Sequence, residues 1–228
     1  MNQGKVVYFV RHAQTEHNRD GVTGCPSDEL SATGRRQAGL LAERLNGIGF
    51  DRVISSTYVR AQQTAEVLAR HHDKEIIFSD LLVEVRSPSE LCGKSRNDPD
   101  VLSIRKLRFD NWGNPDWKFS DEENFFDAQN RAKKAMEFLE NQEDRLLVVV
   151  THGAFMRAIA NIILVGIQPT AVLSTPINQT LKTYNTGLTT ISISKEGQWF
   201  LECWNDTRHL EPAATEQYRN ASLTLLEP

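Results

Sequence analysis

The sequence predicts an α/β protein, a three-layer α/β/α sandwich with a mostly parallel central sheet and an irregular cap insertion. Short runs rich in β-forming residues alternate with amphipathic helical patterns, which is typical of strand–helix–strand units. The runs at 6–10 and 145–150 are apolar almost throughout, as expected of strands covered on both faces. We expect one domain over residues 1–228, because a chain of this length can bury a full core without disulfides or metals.

The first half of the chain has a regular order of elements. VVYFV at 6–10 is predicted to be a strand, and a polar, glycine-containing loop follows it to Leu30. Ser31 is a preferred residue at a helix N-terminus, and apolar residues recur at helical spacing after it until the glycines at 47 and 49 end the pattern. The next predicted elements are a strand at 51–56, a helix from Tyr58 to about His71 and a strand at 75–80.

The second half begins with a different composition. Residues 85–122, which we call the cap segment, contain three prolines, two tryptophans and a basic cluster, and this composition predicts an irregular insertion over the sheet. The tail after Arg208 has weak periodicity and is expected to be mobile. Between the cap segment and the tail, the sequence predicts a helix at about 123–141, a strand at 145–150 and a helix from Gly153 to about Leu164. Strands are then predicted at 180–184 (TLKTY), 188–194 (LTTISIS) and 198–204 (QWFLECW).

Composition argues against several classes of function. Lys and Arg total 26 and Asp and Glu total 30, so the formal net charge is −4, which disfavours a protein that coats nucleic acid. No apolar run suggests a membrane span or a signal peptide. Cys25, Cys92 and Cys203 lie far apart and suggest neither a disulfide framework nor a metal pair, so we expect a reducing cytoplasm and no metal or cofactor.

Residues with candidate chemistry follow three separate strands. Arg11 and His12 come directly after the first strand, His152 follows the strand at 145–150, and Arg60 lies in the first turn of the helix after the strand at 51–56. Because ligands of open α/β sheets bind beyond the carboxyl ends of the strands, these side chains should converge at one edge. Two arginines, two histidines and a helix N-terminus favour an anion, and the simplest such ligand is a phosphoryl group.

Several segments carry a resemblance to a known family. They are VYFVRHAQTEHN, TGCPSDELSATGRRQA, SSTYVRAQQTA, VVVTHGAFMRA, YNTGLTTI and WNDTRHL, which lie in this order over about residues 5–210. This set resembles the histidine phosphatase superfamily, the phosphoglycerate-mutase-like proteins. The resemblance implies a reaction without metal, in which fixed cations neutralise the phosphoryl group.

The same resemblance implies roles for individual residues. His12 would be the nucleophile and form a phosphohistidine, which requires a neutral imidazole. Neighbouring arginines should lower the pKa of His12, because like charges disfavour the imidazolium form. The phosphoryl oxygens would be held by Arg11, Arg60 and His152, with Asn18 and the backbone near Thr23 and Gly24 also lining the pocket.

A proton donor for the leaving group is expected after the third strand. The resemblance implies an acidic residue there, and LLVEVRSPSELCGKS offers Glu84 and Glu90. Glu84 is preferred because it directly follows Leu81–Val83, whereas Glu90 is otherwise a solvated residue. One carboxyl group could act as acid in the first step and as base in the second.

The chain departs from the family pattern at Ala13, where glycine is usual. If the position needs a positive φ or a close phosphate approach, the methyl group would reduce activity. An inactive module that binds a phosphorylated ligand is therefore one alternative function, although the complete set of catalytic candidates argues against it.

The other alternative is a phosphoglycerate-type phosphomutase. Glycolytic mutases carry E-R-H-Y-G after the third strand, whereas this chain has EVRSP at 84–88, so a phosphatase acting on a small phosphomonoester is preferred. The sequence predicts no oligomeric state. A basic run in the cap segment is either a solvated face or a site for a second acidic group of the substrate; it comprises Arg86, Lys94, Arg96, Arg105, Lys106 and Arg108.

Overall fold

The centre of the molecule is a mixed six-stranded sheet, seen in a computed structural model that describes residues 4–166 and 170–210. In chain order the strands are β1 (Lys5–Arg11), β2 (Arg52–Ser55), β3 (Ile76–Phe78), β4 (Leu146–Thr151), β5 (Leu188–Ile193) and β6 (Trp199–Asp206). They lie in the order β3-β2-β4-β1-β5-β6, and β5 runs in the direction opposite to the other five strands. Arg11 pairs with Thr151 and Ser55 with Val150, so β1, β2 and β4 end side by side at one edge.

Seven helices accompany the sheet within the described residues. They are α1 (Glu16–Arg19), α2 (Ala32–Arg44), α3 (Val59–His72), α4 (Pro99–Asp110), α5 (Phe125–Glu140), α6 (Gly153–Val165) and α7 (Ala171–Thr180). Apolar residues of α2 and α3 pack on one face of the sheet, and those of α5 and α6 pack on the other. The predicted three-layer α/β/α fold is therefore confirmed. Among the helices described, none has the length and hydropathy required to cross a lipid bilayer.

The start of α2 is fixed against the loop that follows β1. Ser31 is the N-cap as predicted, and its Oγ accepts a hydrogen bond from the Gly34 N–H at 3.0 Å. A Cβ atom at Gly34 would lie 2.1 Å from the carbonyl oxygen of Gln14, so only glycine fits this first turn. The close approach of Gly34 to Gln14 holds the loop after β1 against α2. The residues at the end of β1 are thereby fixed as well.

The inner face of α3 also agrees with the sequence pattern. Ala61, Ala65 and Leu68 are fully buried and belong to the same apolar cluster as Val53 and Val148 of the sheet. This packing fixes the first turn of α3 next to the end of β2. The residues of that turn are consequently held at the carboxyl edge.

The predicted strand at 180–184 is wrong. Thr180 is the last residue of α7, a helix that the sequence analysis missed because Pro176 lies inside it and its apolar spacing is weak. Several of the backbone groups that follow bond to side chains, and residues 181–184 belong to no strand. Trp204 Nε1 donates to the carbonyl oxygen of Lys182 at 2.6 Å, and the N–H of Tyr184 donates to Asn205 Oδ1 at 2.8 Å.

The cap segment is more regular than predicted. It contains α4, a 12-residue helix with Pro99 in its first turn, where the missing proline N–H is tolerated. Asp98 caps it, accepting the Asp100 N–H at 2.9 Å. The interpretation of the whole segment as irregular is therefore wrong over Pro99–Asp110. The tail predicted to be mobile falls largely on residues 211–228, outside the described part of the chain.

The prediction that the cysteines do not pair is wrong as well. Cys25 and Cys92 form a disulfide across a sequence separation of 67 residues. Their loops meet through backbone hydrogen bonds, in which the Thr23 N–H donates to the oxygen of Lys94 at 2.9 Å and the Gly93 N–H to the oxygen of Thr23 at 3.0 Å. Spacing along the chain could not predict this pair, since tertiary contacts create it. The expected cytoplasmic location rested on unpaired cysteines and loses that support.

Candidate active site

The side chains predicted to carry chemistry meet at the carboxyl edge of the sheet. Arg11 ends β1, His12 follows it, His152 is the N-cap of α6, and Arg60 lies in the first turn of α3. We call these four residues the histidine–arginine cluster. A cavity of about 530 Å³ opens beside them. Seven of the eight predicted site residues line it, namely Arg11, His12, Asn18, Thr23, Gly24, Arg60 and Glu84.

His12 is buried and held in one tautomer. Its Nδ1 lies 2.7 Å from the carbonyl oxygen of Ala13, and its Nε2 lies 3.1 Å from Nε of Arg60. A carbonyl can only accept and a guanidinium can only donate, so the proton is on Nδ1 and the lone pair is on Nε2. Burial, followed by the charges of Arg60 and Arg11, holds the pKa of His12 well below its usual value. The imidazole is therefore neutral and presents an unprotonated nitrogen.

Two arginines provide positive charge beside His12. Besides its bond to His12, Arg60 donates from Nη1 to the carbonyl oxygen of Cys25 at 2.6 Å. Arg11 donates from Nη1 to the oxygen of Thr183 at 2.5 Å, and within the described residues its buried Nε has no hydrogen-bond partner. Burial lowers the pKa of Arg11 to about 10, so it remains charged at neutral pH. Two cations that line the same cavity favour the binding of an anion there.

His152 lies behind the cavity and does not line it. It is fully buried, its ring centroid is 5.0 Å from that of His12, and its Nε2 lies 2.8 Å from Oγ of Ser56. Burial, followed by the charge of Arg60, keeps the pKa of His152 well below its usual value. Its position supports His12 and the edge of the cavity, while a direct contact with a ligand stays a prediction.

Glu84 is held at the N-terminus of α6. Its Oε1 accepts the N–H groups of Val85 and Phe155, each at 2.9 Å, and its Oε2 accepts that of Ala154 at 3.2 Å. The carboxyl group thus occupies the positive end of a helix and lines the cavity that His12 also lines. Glu90 is exposed and is not among the lining residues, so the structure favours Glu84 as the carboxyl group of this site.

Arg131, which sequence reasoning missed, fixes the segment that carries Glu84. Its guanidinium donates to the carbonyl oxygens of Leu81 at 2.9 Å, Val83 at 2.7 Å and Glu84 at 3.2 Å. It also forms a bidentate pair with the buried Glu123 at 2.7 and 2.6 Å. Arg131 lies in the middle of α5, and no local sequence pattern distinguishes it from a surface arginine.

Asn185 is a second residue that was not singled out. Its Nδ2 donates to the carbonyl oxygen of His12 at 2.8 Å and lies 3.3 Å from Oδ1 of Asn18. It therefore links the two loops that carry His12 and Asn18. Asn185 lies in YNTGLTTI, one of the segments that carry the family resemblance, but the resemblance implied no role for this residue.

Ala13 fits its position without strain. It is not among the described residues with positive φ, and its N–H donates to Oγ1 of Thr64 at 3.0 Å. Its side chain is buried in a small cluster with Leu30 and Ala38. The backbone strain considered for this alanine is therefore not present.

The basic run of the cap segment divides into two groups. Arg86, Arg96, Arg105 and Arg108 line the cavity, whereas Lys94 and Lys106 do not. Arg108 is paired with the buried Glu122, and Lys106 with Asp110. The cavity therefore has additional cations on its outer wall.

One cluster near the cavity has the composition of a metal site. His17, Cys25 and Asp28 bring potential ligand atoms within 4.8 Å of one another. The sulfur of Cys25 is in the disulfide with Cys92, so no thiolate is available, and His17 instead pairs with Asp28 at 2.9 Å. These three residues therefore do not fit a metal ion.

The fold and the cluster together define a phosphoglycerate-mutase-like protein, with a neutral histidine and two arginines at the carboxyl edge of an α/β sheet. A family model described as the histidine phosphatase superfamily (branch 1) matches residues 7–207. The chain belongs to this superfamily.

Individual relatives carry two kinds of name. The chain is 27% identical to a probable phosphatase of Schizosaccharomyces pombe, over 92% of this chain and 97% of that protein. It is 25% identical to a probable phosphoglycerate mutase GpmB of Salmonella arizonae, again over 92% and 97%. A phosphoserine phosphatase from Entamoeba histolytica, solved in complex with phosphoserine, superimposes with a TM-score of 0.71 at 26% identity, covering 90% of this chain and 99% of that one.

Proposed function

We propose that the protein is a metal-independent phosphomonoester hydrolase that acts through a phosphohistidine on His12. The observation that carries the proposal is the state of His12, a buried neutral imidazole whose Nε2 lone pair faces Arg60 and whose cavity is also lined by Arg11. A cavity of about 530 Å³ suits a small phosphorylated metabolite better than a folded phosphoprotein.

In the first step, Nε2 of His12 attacks phosphorus. The P–N bond forms as the P–O bond to the leaving group breaks, and Arg11 and Arg60 stabilise the charge on the phosphoryl oxygens. Arg60 now donates to Nε2, so we expect its guanidinium to transfer that donor to a phosphoryl oxygen when substrate binds. Glu84, in its protonated form, gives its proton to the departing oxygen.

In the second step, water attacks the phosphohistidine. Glu84, now ionised, takes a proton from the water as the P–O bond forms and the P–N bond breaks. Inorganic phosphate leaves, and His12 returns to its neutral state with the proton still on Nδ1. The fixed arginines supply the positive charge that a metal ion would otherwise provide, which supports a metal-independent reaction.

A mutase is the second candidate, because a curated relative over nearly the whole chain carries that name. A mutase would retain the phosphoryl group on His12 and return it to a second position of the substrate. The segment EVRSP at 84–88, which differs from the mutase pattern E-R-H-Y-G, favours hydrolysis.

The proposal is tested by phosphate release from p-nitrophenyl phosphate in EDTA, comparing the native chain with His12→Ala. His71→Ala is a matched control, because His71 is exposed at the far end of α3. We expect activity that resists EDTA, disappears in His12→Ala and survives in the control. Rapid quenching with a radiolabelled substrate should trap an acid-labile phosphoryl group on the native chain alone.

Each other outcome contradicts part of the proposal. Activity that survives His12→Ala would overturn the mechanism, and loss of activity in EDTA would overturn metal independence. A native chain that interconverts phosphoglycerates without releasing phosphate would be a mutase. Affinity for phosphate without any turnover would indicate a binding module.

A further inference from the structure

A second cavity adjoins the one beside His12. It has a volume of about 270 Å³ and lies between the cap segment and helices α5, α6 and α7. Val85 and Ala154 line both cavities, so the two share a wall. Glu84 accepts hydrogen bonds from the N–H groups of these same two residues. The proposed proton donor therefore lies where the cavities meet.

The walls of the second cavity are mainly apolar and aromatic. The rings of Trp112 and Phe125 lie 5.1 Å apart and are inclined by 52°, and Phe109 forms part of the same lining. The small side chains of Ala128 and Ala158 leave space between these rings and α6. Small-molecule sites typically combine such walls with a few polar groups, in volumes of roughly 300–1,000 Å³. A cavity just below this range suits a single or fused ring.

Two buried acceptors belong to this lining. Gln129 is 5% exposed and Asn161 is 1% exposed. Within the described residues, neither Oε1 of Gln129 nor Oδ1 of Asn161 has a hydrogen-bond partner. The amide of Asn161 is oriented by the bond from its Nδ2 to Oδ1 of Asn178 at 3.1 Å. A buried acceptor without a donor is unfavourable, so rotation of either amide toward the cavity would be stabilised by a ligand that bears N–H or O–H.

Arg157 adds a cation to the lining. Its Nη1 donates to Oγ1 of Thr183 at 3.1 Å, and burial lowers the pKa of its guanidinium. A largely desolvated guanidinium interacts favourably with the face of an aromatic ring. The cation, the aromatic walls and the two acceptors therefore favour the same kind of ligand.

We propose that this cavity holds the leaving group of the substrate, and that the leaving group is an aromatic ring system bearing an N–H or O–H donor. The inference rests on the proposed function, since the phosphoryl group would lie at His12. The ester oxygen would then lie beside Glu84, at the wall shared by the two cavities. The proposed substrate class is thus an aromatic phosphomonoester with a hydrogen-bond donor on the ring.

Three probes separate ring recognition from leaving-group chemistry. We would compare 2-(indol-3-yl)ethyl phosphate, its N-methylindole analogue and propyl phosphate, all of which release primary alcohols. We expect kcat/KM to be at least tenfold higher for the indole compound than for propyl phosphate, and about fivefold lower after N-methylation. Equal values for the indole compound and propyl phosphate would overturn the proposal, and equal values for the two indoles would overturn its donor component.

Two variants and one control locate the effect. Trp112→Ala removes a wall of the cavity and should abolish the preference for the indole compound, while Gln129→Met preserves shape and should reduce the effect of N-methylation. Trp117→Ala is the matched control, because Trp117 is a cap-segment tryptophan outside the lining of this cavity. A preference that persists in Trp112→Ala, or disappears equally in Trp117→Ala, would contradict the assignment.

A binding measurement distinguishes this proposal from the proposed function. Calorimetry with 2-(indol-3-yl)ethanol, the alcohol without phosphate, needs no turnover, and we expect binding that Trp112→Ala weakens at least tenfold. Failure of the native chain to bind this alcohol would overturn the aromatic site even if p-nitrophenyl phosphate is hydrolysed. Binding of the alcohol without hydrolysis of any phosphomonoester would support the site and contradict the proposed function.

Discussion

The histidine–arginine cluster and the cap segment lie on two sides of the same cavity but are built in different ways. His12, Arg60 and His152 are each at most 5% exposed, and their side chains are fixed by bonds to one another or to neighbouring loops. In the cap segment, Arg105 is exposed, and Lys106 forms an exposed ion pair with Asp110. The difference indicates that the cluster is organised before ligand binds, whereas the cap segment can adapt to the ligand.

The largest effect is expected in the cluster. Arg60→Ala removes the donor to His12 and one of the two buried cations, so kcat/KM for p-nitrophenyl phosphate should fall about 1,000-fold. Arg70→Ala, at the exposed end of α3, is the matched control and should remain close to native. Steady-state kinetics, with circular dichroism to check folding, provide the measurement. A loss of less than tenfold in Arg60→Ala would mean that the cluster does not bind the phosphoryl group.

The second-largest effect is expected at Glu84, which lies between the histidine–arginine cluster and the cap segment. Glu84→Gln should reduce turnover of an alkyl phosphate about 100-fold, because a poor leaving group needs its proton. Turnover of p-nitrophenyl phosphate should fall less than tenfold, since nitrophenolate leaves without one. Glu90→Gln is the control, because Glu90 is an exposed residue of the 3-10 turn at Ser89–Leu91. Equal losses on both substrates would contradict the role of Glu84 as an acid.

The electrostatics of the cluster give a prediction on pH. Burial, Arg60 and Arg11 lower the pKa of His12, so replacing Arg11 by Gln should raise that pKa. Protonation of His12 removes the nucleophile, and the acid limb of kcat/KM should therefore move to higher pH in the Arg11→Gln variant. NMR titration of His12 in the two proteins tests the cause directly. An unchanged titration would mean that Arg11 does not act on His12 electrostatically.

The smallest effect is expected in the cap segment. Arg105→Gln should raise KM about fivefold for a substrate with a second negative charge, such as 3-phosphoglycerate, and leave kcat within twofold, because exposed charges are screened. Lys106→Gln makes the same change of charge one residue away, outside the cavity lining, and should leave KM unchanged. If KM changes equally in the two variants, Arg105 affects substrate binding only through the overall charge of the protein and not through its place in the cavity wall.

The same contrast explains which features the sequence could predict. The strands at 6–10 and 145–150 are continuous apolar runs, and a parallel sheet aligns their ends, so the positions of His12 and His152 follow from local patterns. The capping of α2 by Ser31 was likewise predictable, because it depends on neighbouring residues.

Other features depend on contacts between distant segments. Arg131 bonds to residues that lie 47 to 50 positions before it in the sequence. The pairing of Cys25 with Cys92 likewise requires two distant loops to meet. The helix α4 was missed because its proline and exposed apolar residues obscure a helical pattern. Tertiary contacts determine these features, and no periodicity in the sequence encodes them.

The disulfide between Cys25 and Cys92 also sets how far the chain can be extended. It closes a covalent ring across a separation of 67 residues, which contains α2, β2, α3, β3 and Glu84. At about 3.5 Å per residue, a molecule pulled from its two ends should reach a contour length about 230 Å shorter than the reduced chain. Stretching single molecules before and after adding a reductant would measure this difference, and one cut within the ring would leave the two fragments joined.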